Sequence, residues 1–379
     1  MKLQHRRLDD APPSGQMSFC LTTDLTGNGR PDVLIGAFGG EYPVTIPILD
    51  KEIEMRLLPG SREAIHRREW NVFWYENPGW ERHDVARAPD LSVGGALGDI
   101  TGNGSMDLVS GQNIRKHDLY WFEQPDDPRD EWTRRLITDD FEKFHDIVVA
   151  DVDGDGENEV VCTSQRSELV FYYDVPEDPR REPWPVENRH IVYEGLNVEG
   201  LHVGDVDGDG APEIVAGANV FHREDDGTWT REQIAEGWDW TRLVVDDIDG
   251  DGDDEIIITE GDLPYQEDRP ARLGVFDPPN WDLTVVHDDL SNPHSLQVAD
   301  LNGDGHKDIY VAEMRLEEGH TPRQFVFWNQ GDGTFEEEVV VEDVATHEAK
   351  LVDLDGDGNL DIVGKSYTEE HVDAWFNVS

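Results

Sequence analysis

The feature that most constrains this chain is a nine-residue acidic phrase that returns seven times. In its fullest form, "VVADVDGDGENEVVCTS" at 148–164, it sets Asp151, Asp153, Asp155 and Glu159 around Gly154 and Gly156, between two apolar runs. The first acid of each copy is Asp24, Asp99, Asp151, Asp205, Asp247, Asp300 or Asp353, at spacings of 75, 52, 54, 42, 53 and 53 residues. A recurring unit of this size, with one insertion and one deletion, is the signature of a repeat architecture in which each unit needs its neighbours to bury its apolar surface.

Within each unit an apolar run enters the acidic loop and a second leaves it. An aromatic-rich run follows ("VFWYENP" from Val72, "ELVFYYDV" from Glu168), and an alternating run closes the unit ("GWERHDVA" from Gly79). Short β-branched and aromatic runs punctuated by Gly, Asp, Asn and Pro are strand signals. Four strands per unit and seven units predict an all-β, seven-bladed β-propeller spanning 1–379 as a single domain. The last unit stops at Ser379 without a fourth strand, while "KLQHRRLDDAP" at the N-terminus matches "WERHDVARAP" at 80–89. The N-terminal strand is therefore expected to complete the last blade and close the ring, removing an open sheet edge.

The acidic loops have the composition of cation sites. Carboxylates at positions 1, 3, 5 and 9, turned by Gly at 4 and 6, bring oxygens toward one point, which suits Ca²⁺ with its six to eight oxygen ligands. The candidate ligands in the four-acid copies are Asp151, Asp153, Asp155 and Glu159; Asp205, Asp207, Asp209 and Glu213; Asp247, Asp249, Asp251 and Glu255; and Asp353, Asp355, Asp357 and Asp361. A fifth copy has Asp300, Asn302, Asp304 and Asp308. The first two keep only Asp24 with Asp32 and Asp99 with Asp107, so weaker binding is expected there. The phrase D-x-D-G-D-G-x-x-[DE] between strands resembles the VCBS/FG-GAP propellers, which are similar to integrin-type propellers. That resemblance implies several Ca²⁺ ions on one face.

Calcium does not account for the charge. The chain carries 84 acidic and 31 basic residues, for a net charge of −53. Positions 1, 3, 5 and 9 of the loops hold 23 of the acids, and seven divalent ions would still leave about −39. This surplus, with only seven lysines, resembles the halophilic style of surface, in which salt screens self-repulsion. It excludes a nucleic-acid-binding role, since no basic patch faces the charge. "MKLQHRRLDDAPPSG" has no apolar signal core and no long apolar span follows, so no membrane segment is expected. The expected location is cytoplasmic, or secreted if a signal was removed. Cys20 and Cys162 read as small core residues rather than a disulfide.

The other face is where chemistry is expected. Six residues before each first Asp stand Ser18, Val93, His145, Glu199, Thr241, His294 and His347. In a closed ring equivalent positions converge, so His145, His294 and His347 are expected to line one funnel. Arg166, Arg315, Lys365 and Tyr367, which follow second strands, are expected around it. A polar, partly cationic funnel suits an anionic or polyhydroxylated ligand, with carbohydrate as the expected partner. The three imidazoles could serve as acid–base groups or hold a transition metal. The first unit's insertion, 41–69, carries His66, Arg67 and Arg68 and is a candidate lid over the same face.

"FWYENPGWERHDV" together with His six residues before the loop resembles a subset of these propellers, the aldos-2-ulose dehydratases and the rhamnose–glucuronate lyases. The resemblance implies a carbon–oxygen lyase working by β-elimination on a uronate-containing or oxidised sugar. A cation (Arg166, Arg315 or Lys365) would neutralise the carboxylate, and a histidine or Tyr367 would take the proton. The dehydratases carry further domains that are not found here. The rival class is a non-catalytic propeller that binds a glycan or a protein on the same face.

Overall fold

The structure is a computed structural model that describes residues 1–39, 70–88, 90–114 and 116–379, with the backbone of two short paired strands, Pro43–Ile46 and Lys51–Glu54. The chain folds as a seven-bladed β-propeller, each blade a four-stranded antiparallel sheet. Blades 1 to 7 begin with the innermost strands Met17–Thr23, Leu91–Gly98, Phe144–Ala150, Leu201–Gly204, Thr241–Asp246, Ser295–Ala299 and Glu348–Val352. The only helical segment among the described residues is a single 3-10 turn, Val186–Asn188, and no helix is long and apolar enough to cross a membrane.

Ring closure follows the expectation from the two termini. Leu3–Asp9 pairs antiparallel with Val372–Asn377 and forms the outer strand of blade 7, Leu3 opposite Asn377 and Arg7 opposite Asp373. Asp373 is buried and binds His5 at 2.7 Å and Arg7 at 3.0 Å, so the closing strand is held by charge as well as by its ladder.

The core is divided into seven apolar clusters, one between each pair of adjacent blades. Second strands such as Asp32–Ala37, Asp107–Gln112 and Glu255–Glu260 are buried along their whole length because a neighbouring blade covers each face. Outer strands such as Glu81–Ala86 have exposed positions at one end. The Phe19 ring fills the space where a Cβ on Gly36 or Gly95 would stand, 2.1 and 2.7 Å away, so only glycine fits at either position. Cys20 and Cys162 are free and buried, and burial pushes the Cys20 thiol up to about 12. The proposed lid, 41–69, lies outside the described residues apart from its hairpin backbone.

Candidate functional site

All seven acidic loops join the first and second strands of their blades and therefore share one face. The turn is built by hydrogen bonds from backbone to carboxylate. In blade 3, Asp151 accepts from Gly154 (2.7 Å) and Gly156 (2.9 Å), whose φ values of 78° and 91° require glycine. Asp153 accepts from the Asp155 amide and Asp155 from the Glu157 amide. Each of these two bonds uses a single oxygen, and the other oxygen of Asp153 lies 3.8 Å from the Arg223 guanidinium.

Position 9 separates the blades into two kinds, a division the motif alone does not reveal. In every blade its carboxylate accepts the amide of position 2: Leu25, Ile100, Val152, Val206, Ile248, Leu301 and Leu354. Where position 9 is Asp, the second oxygen also accepts a backbone amide at the end of the third strand. Asp32 takes Asn77, Asp107 takes Gln124, Asp308 takes Asn329 and Asp361 takes Asn377, at 2.8–2.9 Å. The side chains of Asn77, Gln124 and Asn329 then reach the position-2 carbonyl of the preceding blade, at Leu354, Leu25 and Ile248. Where position 9 is Glu, in blades 3, 4 and 5, the register places Val175, Arg223 or Pro278 at the third-strand position. Pro278 has no amide to give. The second oxygens of Glu159, Glu213 and Glu255 accept no hydrogen bond among the described residues, and that of Glu255 is buried. Burial, reinforced by neighbouring acids, pushes Glu159 up to about 8 and Glu213 and Glu255 up to about 7.

Three or more donors come within 4.8 Å of one another at Asp151, Asp153 and Glu159; at Asp205, Asp207 and Asp209; at Asp247, Asp249 and Asp251; and at Asp353, Asp355 and Asp357. These are the four loops with four acids. Asp24, Asp32, Asp99, Asp107, Asp300, Asn302, Asp304 and Asp308 form no such group among the described residues. Asn302 instead donates to Asp304, and Asn28 is tied to the Asn77 carbonyl.

On the opposite face, His145, His294 and His347 line one cavity of ≈ 330 Å³ with Lys143, Asp262 and Tyr367. Beneath it lies a second cavity of ≈ 180 Å³, lined by Asp146, Arg242, Glu348 and Lys350 and sharing His294 and His347 as its roof. These two rings stack with centroids 4.0 Å apart, and Tyr367 lies 5.0 Å from His347.

The three imidazoles have different partners. His145 is held between Asp146 (2.8 Å) and Glu199 (3.3 Å). His294 contacts Arg242 and faces the His347 carbonyl at 3.2 Å. Nδ1 of His347 meets Nζ of Lys365, whose other contacts are the carbonyls of Met17 (2.7 Å) and Ser18 (2.6 Å). Burial, then Arg242 for His294 and Lys365 for His347, holds both stacked imidazoles far below the usual histidine range, and so neutral at pH 7. Burial brings Lys365 down to about 7 and also lowers Lys143. Two stacked rings turned toward separate cations do not present their nitrogens to one ion, and the three histidines form no metal-sized group among the described residues.

Of the expected cations, Lys365 reaches the site through His347. Arg166 is exposed, and Arg315 is drawn away by Asp343 (2.6 Å) and Glu369 (3.3 Å). Sequence reasoning missed Lys143, Arg242, Asp146 and Asp262. Arg242 and Asp146 stand one residue past the histidine register, a signal that was available, whereas Lys143 and Asp262 lie on irregular connections with no repeat to mark them.

Residues 151–216 and 300–364 match the FG-GAP-like repeat family. No curated protein sequence matches the chain. In solved structures, 337 chains match this one. One is described as the crystal structure of BBS1N in complex with ARL6DN, soaked with mercury. It superposes with a TM-score of 0.56 at 9% identity, covering 100% of this chain and 97% of that one. That likeness is one of fold alone.

Proposed function

We propose that this FG-GAP-repeat propeller is a calcium-stabilised carbohydrate lyase that cleaves a carbon–oxygen bond by β-elimination next to a uronate carboxylate. The observation that carries the reading is the neutral His294–His347 stack at the floor of the funnel, backed by a buried lysine whose pKa is near 7.

The contacts of Lys365 explain how the base is made. As an ammonium it donates three hydrogen bonds, to Met17 O, Ser18 O and His347 Nδ1, and the His347 proton then sits on Nε2. As a neutral amine it keeps the two carbonyl bonds and its lone pair accepts Nδ1–H, which leaves Nε2 of His347 as a free base. The proton α to the carboxylate moves to Nε2, its electron pair forms the C=C bond, and the C–O bond to the leaving sugar breaks. Lys143, on the funnel wall, neutralises the carboxylate and stabilises the enolate-like charge. Tyr367, beside His347, is assigned to protonate the leaving oxygen.

Calcium is assigned to the loops of Asp151, Asp205, Asp247 and Asp353. Their gathered carboxylates and the unpaired buried oxygen of Glu255 fit a hard cation. The ion supplies structural clamping remote from the reaction.

A screen of uronate-containing polysaccharides, followed by ultraviolet absorbance of an unsaturated product, tests the reading. Turnover that is lost in His347→Ala with calcium content and melting unchanged supports it. Binding of such a glycan with no unsaturated product at any pH from 6 to 9 would favour a glycan-binding module and end the lyase assignment.

A further inference from the structure

Blade 4 sets a histidine opposite position 9 of its acidic loop. The third-strand residue opposite position 9 is Glu76, Glu123, Asp174, Asp277, Trp328 or Phe376 in the other blades, and His222 in blade 4. His222 Nδ1 lies 3.6 Å from Asp207 Oδ2 and 3.9 Å from Glu213 Oε1. Both separations are too long for hydrogen bonds. They are close to the roughly 3.3 Å expected between two ligand atoms that share an ion at about 2.0 Å each. The three donors lie within 4.8 Å of one another.

Two further observations point to a ligand. Glu213 is 2% exposed, and its Oε1 accepts no hydrogen bond among the described residues while aimed into this group. On the far side of the imidazole, Glu232 Oε2 stands 3.4 Å from Nε2. An acid there draws the ring proton to Nε2 and turns the Nδ1 lone pair toward Asp207 and Glu213. Histidine ligands of metals are commonly oriented in this way by an outer carboxylate.

We infer that Asp207, Glu213 and His222 form a transition-metal site, of the Zn²⁺ or Co²⁺ class, distinct in chemistry from the calcium loops. One nitrogen and two carboxylate donors suit such ions, whereas Ca²⁺ takes oxygen. Asp207 also belongs to the group with Asp205 and Asp209, so the two ion positions share a carboxylate. His222 and Asp207 are partly exposed, which leaves a coordination position for water. The inference does not depend on the lyase reading.

The test is titration of the full chain with Zn²⁺ in a large excess of Ca²⁺, read by competition with a chromogenic chelator. Co²⁺ absorption then serves as a signature of the ligand set. The expected result is one Zn²⁺ per chain that calcium does not displace, lost in His222→Ala and weakened about tenfold or more in Glu232→Gln. Glu232→Gln leaves all three donors in place and serves as the second variant should His222→Ala fold poorly. Zn²⁺ displaced by calcium, or bound equally by wild type and His222→Ala, overturns the site.

Discussion

The ring contains two arcs built from one motif. Blades 6, 7, 1 and 2 close their loops with Asp at position 9, whose two oxygens are both spent on backbone amides, and three of them add an Asn or Gln side chain that reaches the preceding blade. Blades 3, 4 and 5 use Glu, which meets one amide and turns its other oxygen loose beside two or three further acids. A carboxylate clipped to the backbone by both oxygens thus stands in one arc, and one that keeps an oxygen unpaired stands in the other. In the clipped arc the position-9 carboxylates are satisfied by protein alone. The other arc leaves buried charge that protein does not balance.

The largest expected effect follows from that difference. Chelation should lower the melting temperature by several degrees or more, because an ion bound only to the native state stabilises it by mass action. Hydrogen exchange should rise first in the loops of blades 3 to 5, while those of blades 1, 2 and 6 stay protected. Blade 7 sharpens the comparison, since it has both the clip and three gathered acids. Uniform loss of protection around the ring would break the division.

Salt should act next and on both arcs alike. With about −45 charges left once the four assigned loops hold Ca²⁺, melting should fall as ionic strength drops and the Debye length grows from about 3 Å at 1 M to about 30 Å at 0.01 M. A melting temperature that is flat from about 0.1 to about 3 M KCl would remove the halophilic reading.

Substitutions separate the two devices. Asn329→Ala strips the buried Ile248 carbonyl and the half-buried Lys307 carbonyl of their donor and should cost about 1–3 kcal/mol with or without calcium. Glu159→Gln keeps an oxygen for the Val152 amide and removes the charge. It should lower calcium stoichiometry by one and leave the metal-free protein's denaturation midpoint unchanged. A calcium-dependent Asn329→Ala, or a calcium-independent Glu159→Gln, would merge the two arcs.

The smallest effect is expected in the funnel, which straddles both. His294, His347, Lys365 and Tyr367 come from the clipped arc, and His145, Glu199, Arg242 and Asp262 from the arc with Glu at position 9. Loss of calcium below the melting point should therefore raise KM more than it lowers kcat. The rate should climb with pH through about 7, as Lys365 loses its proton and frees the His347 base, and Lys365→Arg should abolish that limb. A rate that falls across the same window would refute the relay.

Much of this was legible in the chain. Period and strand chemistry determined the blade count, the closing role of Leu3–Asp9 and the face carrying the acids, because a repeated local pattern must fold repeatedly. Register likewise brought His145, His294 and His347 to one cavity. What tertiary structure alone decided was which partner each group meets. Arg315 looked free in sequence, yet Asp343 and Glu369, 28 and 54 residues on, claim it. Lys365 became a candidate proton acceptor only because burial strips its hydration and the Met17 and Ser18 carbonyls across the ring junction hold it. The split between Asp and Glu at position 9 was written in the sequence, but its meaning lay in the third-strand residue opposite, Asn77 in one blade and Pro278 in another. Local pattern fixes where a side chain starts, and the balance of hydrogen bonds and charge around it depends on neighbours the chain supplies from far away.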